Sequence, residues 1–204
     1  MARKAAENRE EEILRAAVKT FSEKGFNAAT TSEIAKEAGI AEGTLFRYFK
    51  NKKELLNKVF VSYSQMLSDE LIKKQVGNIL IENKDKPPKE ILKILILDRI
   101  KLIEKNIDVY RIILTEIQYQ QELKEAVTMH FVHAGKNVLA KFIEEGIVSE
   151  NFRSINVLIA IRTLIGMVGM YLIQNHLFPG LVKLNTEEQV DEMVDLFLHG
   201  ISKQ

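Results

Sequence analysis

The chain has 204 residues, 46% of them hydrophobic and 28% charged, and a formal net charge of +1. This composition is typical of a soluble protein with a sizeable core, and the length allows one compact unit or a small head on a larger body. Because the chain has no cysteine, disulfides, thiolate nucleophiles and thiolate metal sites are excluded. The first residues, MARKAAENREEE, lack the apolar run of a secretory signal, so we expect a cytoplasmic protein.

The charge distribution does not by itself indicate nucleic acid. Residues 1–55 hold eleven Lys or Arg against nine Asp or Glu, a net charge of +2, and the remainder carries −1. A protein that adheres to DNA through bulk charge would be far more basic. Any DNA binding by this chain must therefore depend on particular side chains and on the geometry of a dimer.

Apolar residues recur at helical spacing along nearly the whole chain and predict an all-α fold. We expect a loose arm over residues 1–8 and a first helix over residues 9–24, ended by Gly25. A helix follows the cap formed by Asn51 and Glu54, and residues 77–86 form a loop. Later helices cover about 88–105, 108–118, 121–145 and 154–175, and a last one starts at Asn185, which gives about nine helices in total.

The most informative stretch is residues 30–53, TTSEIAKEAGIAEGTLFRYFKNKK. Thr30 and Glu33 have the spacing of a capping box at the start of a short helix, and Gly39 supplies the left-handed residue that ends it. A second short helix begins near residue 42, with Leu45 and Phe49 directed to the core. Two short helices joined by a tight turn are typical of a helix-turn-helix, whose second helix enters the DNA major groove.

The segment GIAEGTLFRYFKNKKEL, residues 39–55, resembles the recognition helix and following linker of the TetR family of bacterial transcriptional regulators. The preceding segment, ILRAAVKTFSEKGFNAATTSEIA, fits the same pattern, so the close match covers the first quarter of the chain. The resemblance implies a DNA-binding head over residues 1–50 and a helical body over residues 51–204 for ligand binding and dimerisation, joined by a continuous helix. It further implies a homodimeric repressor that a small-molecule effector releases from a palindromic double-stranded DNA operator.

The resemblance and the outward face of the second short helix predict the DNA contacts. Arg47 is suited to read guanine in a major groove, Gly43 permits close backbone approach, and the two lysines after the helix fall where the family contacts phosphate. The expected contact residues are Thr31, Ser32, Glu42, Gly43, Thr44, Phe46, Arg47, Tyr48, Lys52 and Lys53.

Two positions depart from the family pattern. Ala41 stands where many members have Ser and cannot cap the second helix, which costs about 1 kcal/mol. Glu42 stands where many have Lys, and it either accepts from a cytosine amine or faces away from the DNA. Phe46, often Tyr in the family, can still contact a thymine methyl.

The resemblance implies that the last two helices pair with their copies in a dimer. Gly166 and Gly169 support this, because both disfavour a helix unless another backbone approaches closely. The expected interface residues are Gly166, Gly169, Val190, Val194 and Phe197. A membrane span over residues 157–173 is disfavoured, because the run is short and contains Arg162 and Thr163.

The resemblance also implies a ligand pocket in the body. Candidate lining residues are Tyr63, Met66, Tyr110, Gln118, Tyr119, Phe131, Arg162, Met167, Met170 and Tyr171, although for any single one of them ordinary core is the better interpretation. Arg162 could pair an anionic ligand or bridge to a Glu. Such a lining favours a hydrophobic or aromatic effector.

Two alternatives to an effector-controlled repressor exist. In the first, the chain is a constitutive DNA-bound scaffold without a small-molecule effector. In the second it is an enzyme, but the sequence contains no H-E-x-x-H, G-x-S-x-G or phosphate-loop motif. His130 and His133 have a spacing that can bind metal but lack a third ligand nearby. We therefore expect no catalytic activity, cofactor or metal.

Overall fold

The computed structural model describes residues 2–68, 76–127 and 133–201, and these residues form an all-α fold. The helices are α1 Ala2–Ala28, α2 Thr31–Glu37, α3 Glu42–Tyr48, α4 Lys52–Ser68, α5 Gly77–Glu82, α6 Pro88–Lys105, α7 Ile107–Glu116, α8 Gln121–Val127, α9 His133–Val148, α10 Val157–Leu177 and α11 Thr186–Ile201. Packing divides the chain into two compact units. Unit 1 consists of Met1–Leu67 and Asn106–His130, and unit 2 of Ser68–Lys105 and Phe131–Gln204. The expected boundary after residue 50 concerns function and stays a prediction.

The core of unit 1 joins α1 to α2, α3, α4 and α7. The apolar face of α1, which includes Ile13 and Phe21, is buried there. It packs with Leu45 from α3, Leu55 and Leu56 from α4, and Ile112 from α7. Gly25 has φ 76° and ψ 159°, a conformation that only glycine adopts easily, and it interrupts α1 before a final turn to Ala28. The predicted loose arm over residues 1–8 is wrong, because α1 begins at Ala2.

The predicted helix caps are confirmed. The Thr30 side chain accepts from the Glu33 backbone N–H at 3.2 Å, and the Glu33 carboxylate accepts from the Thr30 backbone N–H at 3.1 Å. At α4, the Glu54 backbone N–H donates to the side chain of Asn51 at 2.8 Å. Such reciprocal bonds satisfy amides that have no partner inside the helix, so they fix where it starts.

The core of unit 2 is built from α6, α9, α10 and α11, with Ile143, Leu164 and Val190 among its buried residues. Charged groups tie α6 to α11 at its edge: Lys89 Nζ donates to Asp191 at 3.2 Å and to Asp195 at 2.8 Å. The Asp195 and Asp191 carboxylates raise the pKa of Lys89 by accepting these hydrogen bonds. These half-buried pairs align two helices whose apolar faces supply most of the stability.

Two predicted boundaries differ from the structure. Residues 77–82, expected in a loop, form α5. The helix expected over residues 121–145 is described in two parts, α8 and α9; residues 128–132 between them lie outside the described residues, so its continuity stays a prediction. Gly146, the residue after the expected end of that helix, lies within α9, where a Cβ would approach the buried ring of Phe152 to 2.1 Å. Gly146 is therefore needed to admit that ring.

The helix α10 is apolar along most of its length, and much of its surface is not covered within the single chain. The span Val157–His176 has a mean hydropathy of 1.8 and is 22% buried, so its length and composition would also suit a membrane helix. Its exposed apolar residues are Leu158, Ile159, Ile165, Met170 and Ile173. An apolar face of this size on one helix needs a cover.

Candidate nucleic-acid interface

The connection between α2 and α3 is a four-residue turn over residues 38–41. Gly39 has φ 66°, and its N–H donates to the carbonyl of Lys36 at 3.1 Å, while Ile40 N–H donates to Ala35 at 2.9 Å. These bonds satisfy the last carbonyls of α2. The left-handed residue lets the chain reverse at once, so α2 and α3 meet as the predicted helix-turn-helix.

The recognition helix α3 has one face in the core and one face outward. Leu45 is fully buried and Phe49 is 3% exposed, as predicted from their spacing. Gly43, Phe46 and Arg47 are exposed, and the Phe46 ring retains 46% of its accessible surface. Exposure of an apolar ring to water is unfavourable, and contact with a base methyl group would remove this exposure.

The first residues of α2 and α3 are linked by a side-chain hydrogen bond. Thr31 Oγ1 donates to Glu42 Oε1 at 2.5 Å, and both side chains are half-buried. Ala41 makes no side-chain cap, as predicted, so the Glu42 carboxylate provides the negative charge at the start of α3. Glu42 is therefore held within unit 1, where it fixes α3 relative to α2.

The other expected DNA contacts are distributed unevenly. Ser32 and Lys53 are exposed, and Thr44 and Tyr48 are half-buried. The Lys52 ammonium has protein partners instead: it donates to the carbonyls of Phe26, Asn27 and Ala29 in unit 1. An exposed lysine, Lys50, was missed by the sequence analysis, although its place just after α3 was a usable signal.

Electrostatic pairs join α1 to α2 beside this surface. Lys24 Nζ lies 2.6 Å from Glu33 Oε1, and Lys19 Nζ lies 2.7 Å from Glu37 Oε1. The hydrogen bond from Lys24, followed by those from the backbone and side chain of Thr30, lowers the pKa of Glu33 to about 2. These carboxylates offset two lysine charges on the face of unit 1 that carries the helix-turn-helix.

The expected ligand residues of unit 1 are partly in the core and partly exposed. Tyr63 is half-buried against the core, and this burial raises the pKa of its hydroxyl. Tyr110 is half-buried, whereas Gln118 and Tyr119 are exposed, Tyr119 by 81%. The Met66 side chain lies outside the described residues.

In unit 2, Tyr171 is buried and donates its hydroxyl to Thr186 Oγ1 at 3.0 Å. Met167 packs partly against the core, while Met170 and Arg162 are exposed on α10. Phe131 lies outside the described residues. An open cleft of about 470 Å³ in this unit is lined mainly by charged residues of α11 and by none of the expected ligand residues. The ligand assignments therefore stay predictions.

The expected dimer residues fall on two different faces. Val190 and Val194 are fully buried, and Phe197 is 4% exposed, so unit 2 itself already covers these three side chains. Gly166 is exposed on α10, and Gly169 is half-buried beside it. Unit 2 leaves apolar surface uncovered on the exposed α10 face and at Leu196 of α11, which is 69% exposed.

The histidine pair lies mostly outside the part of the chain that the structure describes. His130 and the His133 side chain lie outside the described residues. Within the described part of the chain, no group of three or more His, Asp or Glu could hold a metal ion.

Comparison with known proteins adds independent observations. Residues 13–59 match the family described as bacterial regulatory proteins, tetR family. The HTH-type transcriptional regulator YerO of Bacillus subtilis is 33% identical over 144 residues, which cover 68% of this chain and 48% of YerO. The matched part thus spans about half of that relative's length.

Solved structures extend the likeness to the whole chain. A TetR-family transcriptional regulator from Mesorhizobium loti has a TM-score of 0.72 at 20% identity, over 96% of this chain and 98% of that one. FadR from Bacillus subtilis, in complex with stearoyl-CoA, has a TM-score of 0.63 at 23% identity, over 94% of this chain and 98% of that one. At such identities the likeness is one of fold.

The matched segment 13–59 contains the end of α1, the whole helix-turn-helix and the first turns of α4. These are the residues that build the surface described above, and the structural neighbours share the arrangement of the remaining helices. The chain belongs to the tetR family of bacterial regulatory proteins.

Proposed function

We propose that this protein is a cytoplasmic, homodimeric transcriptional repressor that binds a palindromic double-stranded DNA operator through α3 and is released by a small-molecule effector. The observation that carries the proposal is the outward face of α3, where Phe46 and Arg47 are exposed while Leu45 and Phe49 anchor the helix in the core. Because an anchored helix presents its side chains in fixed positions, it can read base edges in a major groove.

The low net charge of the chain makes a dimer important for this function. Residues 1–55 carry a net charge of only +2, and Lys19 and Lys24 are paired with carboxylates, so we expect a single head to hold DNA weakly. Two heads about 34–36 Å apart would read successive major grooves on one side of a palindrome. The exposed apolar face of α10 is the surface that we assign to the second copy.

The proposed effector is a hydrophobic or aromatic molecule bound by residues in the body of the chain, 51–204. The FadR neighbour binds stearoyl-CoA, a molecule with a long apolar chain, which makes long-chain acyl thioesters suitable first probes. In the proposed mechanism, effector binding shifts α4 and changes the separation of the two heads. A few kcal/mol of preference for the state that does not bind DNA is enough to empty an operator.

The DNA-binding part can be tested by selecting double-stranded DNA from a random pool with the wild-type protein. We expect Arg47→Ala to weaken binding to the selected sequence by roughly 10- to 100-fold, because one bidentate contact discriminates by about 1–3 kcal/mol. Arg15→Ala is the matched control, since Arg15 is exposed on α1 and paired with Glu11 at 3.2 Å. Equal affinities for wild type and R47A would contradict the proposed role of α3.

The same binding assay separates the repressor from a constitutive DNA-bound scaffold. Affinity for the selected DNA is measured with and without stearoyl-CoA and with aromatic ligands that bind the protein. A repressor loses affinity when its effector binds. A scaffold keeps the same DNA affinity with every bound ligand.

A further inference from the structure

The Lys52 side chain, at the start of α4, reaches the point where α1 ends. Its Nζ donates to the carbonyl oxygens of Phe26 at 2.7 Å, Asn27 at 3.2 Å and Ala29 at 2.7 Å. An ammonium group has three N–H donors and no acceptor. The three carbonyls therefore match its full hydrogen-bonding capacity, and the side chain is half-buried among them.

The position of Lys52 is explained by the end of α1 and not by α4. The first turn of a helix disfavours a cation, whereas the last turn of a helix favours one, because its carbonyl oxygens lack partners. The interruption at Gly25 leaves the carbonyls of residues 26, 27 and 29 directed to one point, which needs a donor. Lys52 belongs by sequence to α4 but supplies the C-terminal cap of α1.

An aromatic contact strengthens this placement. The Lys52 Nζ lies 4.6 Å from the centre of the Phe26 ring, within range of a cation–π interaction. The Phe26 ring packs in turn against Phe21 of α1, with ring centres 5.5 Å apart. The ammonium is thus held by charge, hydrogen bonds and a ring that belongs to the core.

The carbonyl of Ala29 immediately precedes Thr30, the residue that caps α2. Lys52 therefore connects the first turn of α4 to the segment from which α2 and α3 start. On the α4 side, the Asn51 cap and a 2.7 Å bond from the Lys50 backbone N–H to Glu54 fix the same turn. A displacement of α4 at this point is passed directly to the chain that leads into the helix-turn-helix.

We propose that Lys52 is a positioning residue that couples α4 to the helix-turn-helix, and that it does not bind phosphate. This inference rests on the proposed DNA-binding function. It departs from the role that the family resemblance implies for this lysine, because its three donors are already used within unit 1.

The salt dependence of DNA binding tests the proposal. Removal of a phosphate contact reduces the slope of log affinity against log salt by about 0.9 per contact. For Lys52→Met we expect at least a tenfold loss of affinity for the selected DNA with an unchanged slope. Lys53→Met is the control, because it removes one charge at the next residue. It shows how the loss of a nearby charge changes the affinity and the salt slope. A slope reduced by about 0.9 per protomer in K52M overturns the proposal.

A conservative variant distinguishes a phosphate-binding role of Lys52 from a positioning role. Lys52→Arg keeps the positive charge, and arginine binds phosphate at least as well as lysine. Its planar fork does not match three carbonyls that converge on one ammonium, so we expect K52R to lose affinity as K52M does. Wild-type affinity in K52R overturns the proposal. Circular dichroism of each variant shows whether the fold is retained.

The chemical reactivity of Lys52 in the wild-type protein tests the proposal without a variant. Lysine acetylation by an amine-reactive ester, read by peptide mass spectrometry, should modify Lys52 more slowly than the exposed Lys50 in the free protein. Addition of selected DNA should leave the Lys52 rate unchanged. A fast rate that falls only on DNA binding overturns the proposal. If the wild-type protein selects no DNA, the proposed function fails, and the rate in the free protein still decides where the Lys52 ammonium lies.

Discussion

The Glu33 carboxylate combines a helix cap with an ion pair. Oε2 accepts from the Thr30 backbone N–H, and Oε1 accepts from Lys24 Nζ of α1. The capping box defines the start of α2, while the ion pair connects α2 to the long helix beneath it. One acidic side chain therefore fixes both the first turn and the orientation of the helix that precedes the recognition helix.

We expect Glu33→Gln to lower stability at neutral pH and to have little effect in strong acid. The pKa of Glu33 is lowered to about 2 in the folded chain, from an ordinary value of 4.5. Its charged form thus stabilises the fold above pH 4.5, and this stabilisation is lost as the pH falls towards 2. Because Gln can still cap the helix, the substitution removes mainly the charge.

The pKa of Glu33 is measured directly by NMR, from the chemical shift of its carboxyl carbon between pH 7 and pH 1.5. Glu37→Gln serves as the control, since Glu37 is paired with Lys19 but takes no part in the cap. A Glu33 midpoint near 4.5 would contradict the prediction. Because the side chain is exposed, the effect should weaken at high salt.

At the scale of the helix, the packing of α9 depends on Gly146. The ring of Phe152 lies over its Cα, and the rings of Phe142 and Phe152 meet edge to face with centres 5.9 Å apart. The Phe152 backbone N–H donates to the Gly146 carbonyl at 2.9 Å. The chain therefore folds back tightly after α9, and a methyl group at position 146 would occupy the space of the ring.

We expect Gly146→Ala to lower the free energy of unfolding by roughly 1–3 kcal/mol, the usual cost of overpacking a core. Gly200→Ala is the control, because Gly200 is also helical and a Cβ there meets nothing within 4 Å. That change should raise the free energy of unfolding by up to about 1 kcal/mol through helix propensity. Urea unfolding measures both, and an unaltered midpoint in G146A would refute the packing argument.

Local sequence signals predicted much of the fold. Capping residues at 30, 51 and 185 and the left-handed Gly39 each act within one turn of chain, so their pattern is visible in the sequence. The inner face of α3 followed from the spacing of Leu45 and Phe49. Gly146 could not be understood in this way, because a glycine that ends a helix and a glycine that admits a distant ring look alike in sequence.

The sequence predicted which segment forms the candidate site, but it did not predict the contacts of the individual side chains. The segment 30–53 indicated the helix-turn-helix through its own residues. The Lys52 contacts join residues more than 20 positions apart, and the Thr31–Glu42 bond depends on the angle between two helices. Neither follows from local periodicity. On α11, periodicity identified the apolar stripe of Val190, Val194 and Phe197 but could not decide which neighbour covers it.

At the scale of the whole molecule, we expect the exposed face of α10 to form the dimer interface. Ile165 is 55% exposed on this face, which also carries Arg162 and Gly166. We expect Ile165→Glu to convert a dimer into a folded monomer, because it would bury two carboxylates between apolar surfaces. The loss of the second head should also reduce DNA affinity.

Sedimentation equilibrium measures the assembly state of wild type and variant. Ile81→Glu is the control, since Ile81 is 71% exposed on α5, away from α10 in sequence. That variant should stay dimeric. A wild-type protein that is monomeric at micromolar concentration, or a dimeric I165E, would contradict this assignment of the interface.

The ion pairs between α1 and α2 have a consequence for how the protein finds its target in a genome. Lys19 and Lys24 are paired with carboxylates, so these two lysines add little to the attraction of arbitrary phosphates. Weak non-specific binding shortens the time that each molecule spends on non-target DNA, and it leaves most molecules unbound between these encounters. Fewer copies of the protein are then held at non-specific sites on the chromosome. For the proposed repressor, fewer copies per cell are then needed to keep its operator occupied.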